Sequence, residues 1–188
     1  MKYVKFSNEK KYIKDFINLS KKLYVKNNTD NPKEIKQILE EKHPLSKYFK
    51  IDKFLIYKNK KAVGRFVITT YSNDKTAYIG YFECINNDEV AKYLFEVAYK
   101  FAKENKYEKI VGPLDTSFWI KYRLKINMFD KKIYTGEPYN KEYYLKMFLD
   151  NKYKVIEHYT SNIYKIIDNG YENDKYFDRY NEFIKKRI

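Results

Sequence analysis

The feature that most restricts this chain is a change of hydrophobic period near its middle. From Phe54 the apolar residues alternate: FLIYK, the turn residues Asn59 and Lys60, then AVGRFVITTY. A second polar turn, Ser72 to Lys75, leads to TAYIGYFEC. Side chains that alternate with a period of two read as strands with one face toward a core, and two-residue polar turns join them as hairpins. The spacing therefore predicts a three-stranded antiparallel meander. Immediately afterwards the period becomes helical: Val90, Leu94, Val97, Ala98 and Phe101 make one stripe between Asp88 and Asn105. Asp88 stands where a helix N-cap is expected.

The flanks can be read in the same way. Tyr3 to Phe6 alternates as a short strand, with Ser7 as the cap of a helix carrying Tyr12, Ile13, Phe16, Ile17, Leu19, Leu23 and Tyr24 at three- and four-residue spacing. A short helix over 33–41 ends ahead of Pro44. Downstream the patterns predict a strand at 109–114, a helix at 140–151, a strand at 154–166 and a last amphipathic helix at 173–186. That last helix carries Tyr176, Phe177, Tyr180, Phe183 and Ile184 on one stripe.

Composition excludes several functions. No apolar run reaches the ~18 residues that span a bilayer. The N-terminal stretch is charged throughout and reads as no secretory signal, and the lone Cys84 fits a reducing, cytoplasmic setting. The two histidines, His43 and His158, lie far apart without partners at zinc spacing, so no metal site is expected. Neither a nucleophile elbow nor a phosphate-binding glycine loop occurs, and there are only five glycines. The net charge of +14 suggests an anionic partner. Yet only four of the 39 basic residues are arginine, and the favoured Lys, Asn, Ile, Tyr and Phe all have A/T-rich codons. The 36 aromatics fall mostly at core spacing, which argues for packing over a stacking platform for nucleic acid.

The order of elements, together with GYFECINNDEVAKYLFEVAYKFAKENKYEKIVGPLDTS and GEPYNKEYYLKMFLDNKY, resembles the GNAT superfamily of acyl-CoA-dependent N-acetyltransferases over residues 3–167. The resemblance implies an α/β (α+β) fold, a mixed, mostly antiparallel central sheet flanked by helices. A GNAT-like domain would occupy 1–168, and 169–188 would form a C-terminal helix for packing or oligomerisation.

The resemblance also implies a function: transfer of an acetyl or other acyl group from acetyl-CoA or another acyl-CoA to a small-molecule or peptide amine. In the superfamily the long helix opens with Q/R-x-x-G-x-G/A around the cofactor's pyrophosphate. The matching residues here are Asn86 to Ala91, of which only Ala91 fits; Asn86 and Glu89 depart from the pattern, and Asp88 and Glu89 add negative charge. Ile85, Asn86, Asn87, Val90 and Ala91 are the implied cofactor-binding residues. Glu83 is the implied general base. The usual tyrosine acid aligns with Phe148, which leaves Tyr144, or its neighbour Tyr143, as the substitute. Asp115, Trp119, Tyr139 and Asn140, polar or aromatic groups in connecting loops, are candidates for the acceptor side. Two other readings stay open: a GNAT-fold binding or oligomerisation module without transfer chemistry, acting as a homo-oligomer through its last helix, and a basic nucleic-acid-binding protein.

Overall fold

The computed structural model describes residues 1–24, 30–133, 136–162 and 174–185. Five strands form one sheet in the order β1-β2-β3-β4-β5. They are β1 (Lys2–Phe6), β2 (Lys50–Lys58), β3 (Lys61–Thr70), β4 (Thr76–Cys84) and β5 (Lys109–Val111). The first four pair antiparallel, while β5 runs parallel to β4 over Thr76–Tyr78 only. The alternating run thus becomes the meander that its period predicts. Asn59 and Lys60, both at positive φ, make the tight turn between β2 and β3.

Helices cover both faces. On one side α1 (Lys10–Leu23) and α2 (Pro32–Leu39) bury Ile13, Phe16, Ile38 and Leu39 against Leu55, Val67 and Tyr81. On the other, α3 (Asp88–Glu104) lays Val90, Leu94, Phe95 and Ala98 over Phe54, Ile68, Ile79 and Phe82. The short α4 (Tyr144–Asp150) adds Tyr144, Met147 and Phe148 to the same core. The lysines of α1, Lys10, Lys11, Lys14, Lys21 and Lys22, are all exposed, as a solvated helix requires.

Several local expectations need correction. The N-cap of α3 is Asn87, whose side chain accepts from the Val90 N–H at 3.0 Å; Asp88 is the first helical residue. Helix α1 is preceded by Glu9, with no side-chain cap, and the Ser7 N–H instead donates to the Glu9 carboxylate at 2.8 Å. Residues 154–162 form no strand. Their alternation, KVIEHYTSN, pairs with no strand among the described residues, and strand propensity without a partner strand does not make a sheet. The rest of that expected strand, 163–166, lies outside the described residues. Residues 140–143 precede α4 rather than belonging to it.

Two compact units are distinguished, Met1–Lys154 and Val155–Ile188. The second contains α5 (Asp174–Lys185), on which Tyr180 and Phe183 are exposed.

Candidate functional site

The site begins with an irregularity in β4. The β3–β4 register shifts between Arg65 and Val67, and Tyr81 takes a positive φ of 46°. Such a bulge breaks strict alternation and re-aims the side chains beside it. Gly80, just before it, meets the 114–115 backbone so closely that a Cβ would lie 1.8 Å from the Leu114 carbonyl oxygen. Only glycine permits that approach. As a result Glu83 and Asp115 line one narrow recess together with Asp30, Arg65, Tyr81 and Lys121.

Glu83 is 4% exposed. Its Oε2 accepts a 2.5 Å hydrogen bond from the Tyr144 hydroxyl, and its Oε1 lies 3.8 Å from the Arg65 guanidinium. Burial pushes the carboxyl up to about 7, against the opposing pull of Arg65 and the Tyr144 hydrogen bond. Arg65, itself 1% exposed, donates to the Phe16 carbonyl at 2.6 Å and to Asp30 at 2.8 Å. Asp115 accepts from the Tyr81 N–H at 2.5 Å and lies 3.9 Å from Lys121; burial raises its pKa. The Tyr24 hydroxyl is buried, and has no hydrogen bond of ordinary geometry among the described residues. Burial, followed by the charge of Glu83, drives its pKa upward.

The edge of β4 past its pairing with β5 is capped by two tyrosines. The Cys84 N–H donates to the Tyr144 hydroxyl at 3.1 Å, and the Cys84 carbonyl accepts from the Tyr143 hydroxyl at 2.9 Å. The Cys84 thiol is buried, which pushes it up to about 12 and leaves it a poor nucleophile. Phe148, aligned with the superfamily's acid, packs between Phe82, Phe95 and Tyr153.

The expected cofactor-binding stretch is committed to the fold. Ile85 N–H donates to Val63, Asn87 N–H to Ile85, and Ala91 N–H to the Asn87 carbonyl, while Val90 N–H goes to the Asn87 side chain. The Val90 and Ala91 side chains are buried in the core; Asn86 is exposed.

On the acceptor side, Asp115 joins the recess, but Trp119 is 90% exposed and does not line it. Asn140 is tied to backbone instead, accepting from the Lys125 N–H at 2.7 Å and donating to the Lys125 and Lys141 carbonyls. Tyr139 packs on the Tyr24 ring with centroids 5.7 Å apart. Sequence reasoning missed Arg65, Asp30, Tyr24, Tyr81 and Lys121. For Arg65 a signal existed: an arginine inside the apolar strand AVGRFVIT. Asp30 sits in a polar stretch that offers no such contrast.

Among the described residues no group of His, Cys, Asp and Glu could hold a metal, and no helix is long and apolar enough to cross a membrane.

No family model matches the chain, and no curated protein matches its sequence closely. Solved structures do match in fold. An aminoglycoside acetyltransferase from an uncultured soil metagenomic sample, in complex with sisomicin, is similar at TM-score 0.53 and 15% identity, over 88% of this chain and 96% of that one. An aminoglycoside antibiotic 6'-N-acetyltransferase from Acinetobacter haemolyticus gives 0.51 and 16%, over 89% and 100%. A predicted acetyltransferase with acetyl-CoA, from Clostridium acetobutylicum, gives 0.50 and 14%, over 86% and 95%. The chain spans only 34% of a tandem GNAT protein from the clavulanic acid biosynthesis pathway, at 11% identity over 56% of this chain and TM-score 0.49.

Proposed function

From the GNAT fold of this chain we propose that it is an N-acyltransferase in which Glu83 takes the proton of an acceptor amine. The observation that carries this reading is the Glu83 carboxyl: buried on the bulged strand β4, lining a recess, and brought by burial to about 7. A base works best when its pKa lies near the working pH, because it must be ionised yet still able to hold a proton. The Tyr144 hydroxyl fixes the orientation of the carboxylate. The lone buried Cys84 is consistent with a reducing, cytoplasmic setting.

Acetyl-CoA or another acyl-CoA is the donor that the fold implies. The residues at the expected donor position do not fit it in this conformation. A pyrophosphate needs unspent amides and positive potential at a helix start. Here the N–H groups of Ile85, Asn87, Val90 and Ala91 are already bonded, and the first turn carries Asp88 and Glu89. The proposed role accordingly rests on the acceptor side. The same features favour a second reading, a GNAT-fold binding module that has lost transfer chemistry.

Two measurements separate the readings. Thermal unfolding with acetyl-CoA and longer acyl-CoAs should move the melting temperature upward if a donor site survives, because a ligand that binds only the folded state stabilises it. Thiol release in the presence of a panel of amines should then accompany it and disappear in Glu83→Gln. Absence of any shift with CoA esters at millimolar concentration would leave the binding module.

A further inference from the structure

Arg65 on β3 and Glu83 on β4 are cross-strand partners, so their side chains leave the sheet on the same face. A buried arginine and a buried glutamate placed in this way are expected to close into a hydrogen-bonded ion pair. Instead the guanidinium leans toward a third group. Its Nη2 is 2.8 Å from Asp30 and 3.8 Å from Glu83 Oε1, while its Nη1 is given to the Phe16 carbonyl at 2.6 Å. Asp30, 35 residues earlier in the chain, takes the hydrogen bond that the neighbouring strand could have received.

The other groups around Glu83 leave Arg65 as the charge at close range. Tyr24 stands at the end of α1, and Tyr143 and Tyr144 at the start of α4. Burial holds all three hydroxyls above their ordinary value and pushes the adjacent Cys84 thiol up to about 12, so these groups are uncharged at neutral pH. In the recess Asp115 is tied to the Tyr81 N–H with Lys121 3.9 Å away, and Arg123 lies 3.1 Å from Glu137. Among the described residues, Asp30 and Glu83 are the carboxylates within ion-pair distance of Arg65. The Arg65 Nε–H has no hydrogen-bond partner among them, so the guanidinium keeps donor capacity for a second acid.

We propose that Asp30 is the positioning residue of the base: by holding the Arg65 guanidinium to itself, it keeps Glu83 out of a hydrogen-bonded ion pair and free to accept a proton. Glu83 is then oriented by a neutral donor, the Tyr144 hydroxyl, with the cation set back from it. Burial is the largest influence on the Glu83 carboxyl; Arg65 opposes it, and the Asp30 charge supports it. Neutralising Asp30 withdraws that support and releases Arg65 toward Glu83, and both changes weaken the hold of Glu83 on its proton. The proposal rests on the acyltransferase reading only for the use to which Glu83 puts that proton.

Carbon-13 titration of the side-chain carboxyls in the full chain, with neither acyl donor nor amine present, tests it, so failure of acyl transfer has no bearing on the result. In the wild type Glu83 should titrate at about 7, and Asp30, where burial is outweighed by Arg65, below the ordinary carboxylate range. The reverse order, with Glu83 below that range and Asp30 above it, would overturn the proposal without any variant. Asp30→Asn keeps an oxygen for Arg65 while removing the charge, and Glu83 should then bind its proton about tenfold more weakly or less tightly still. Asp30→Glu should bring the titration back toward the wild type. Lost packing alone would not reverse with the charge in this way. Where thiol release is measurable, the acid limb of its pH profile should move to lower pH in Asp30→Asn by the same factor. An unchanged Glu83 titration in folded Asp30→Asn protein would overturn the proposal and leave Glu83 as the base.

Discussion

Glu83 sits between opposing influences, and these set its pH behaviour. Burial raises its pKa from 4.5 to about 7, so the folded chain holds this proton more tightly than the unfolded chain. Stability tied to this group is complete below about 4.5 and is lost as pH rises toward 7. Thermal unfolding of Glu83→Gln should therefore gain on the wild type between pH 5 and pH 8, with parallel curves counting against the assignment. Tyr144→Phe tests the partner. It strips a donor from Glu83 and an acceptor from the Cys84 N–H, both buried, at a cost of about 1–3 kcal/mol. Because that hydrogen bond lowers the Glu83 pKa, its loss should also move the acid limb of any rate–pH profile to higher pH.

Among the elements, α3 shows how a local signal can mislead by one residue. Asn87, Asp88 and Glu89 are all suited to a helix start, and composition does not choose between the first two. The choice falls on Asn87, which adopts extended geometry with φ −156° and ψ 117° and turns its side chain to the Val90 amide. Asn87→Ala should cost about 1 kcal/mol in urea unfolding. Asp88→Ala, which removes only a charge near the helix dipole, should cost about 0.3–1 kcal/mol. A larger loss at Asp88 would place the cap there after all. The bulged strand β4 is the other decisive element, since Gly80 and Tyr81 bring 114–115 against it and thereby deliver Asp115 to Glu83.

For the molecule as a whole, the unit Met1–Lys154 contains both hydrophobic cores, from Phe6 to Tyr153. A chain ending at Lys154 should keep a cooperative unfolding transition and a melting temperature within a few degrees of the full chain. Truncation is tolerated when the removed backbone contributes no buried packing to the remaining core. Loss of the transition on circular dichroism would mean that the later residues complete the fold.

Periodicity alone carried the meander, α1, α3 and the GNAT-like order of elements, because alternation and helical stripes are written in neighbouring residues. The mixed sheet was legible through the resemblance built on that order, which also singled out Glu83 and Tyr144 separately; their hydrogen bond, across 61 residues, is a product of the fold. Residues 154–162 show the limit: their alternation is real, but a strand needs an edge, and an edge is a property of distant chain. The recess lay further still from view. Arg65 meets Asp30 across 35 residues, and Asp115 meets Tyr81 across 34. Trp119 and Asn140 had the right chemistry for a ligand, yet one faces solvent and the other staples backbone. Burial, desolvation and long-range register decide such roles, and each of them comes into being only when the chain has folded.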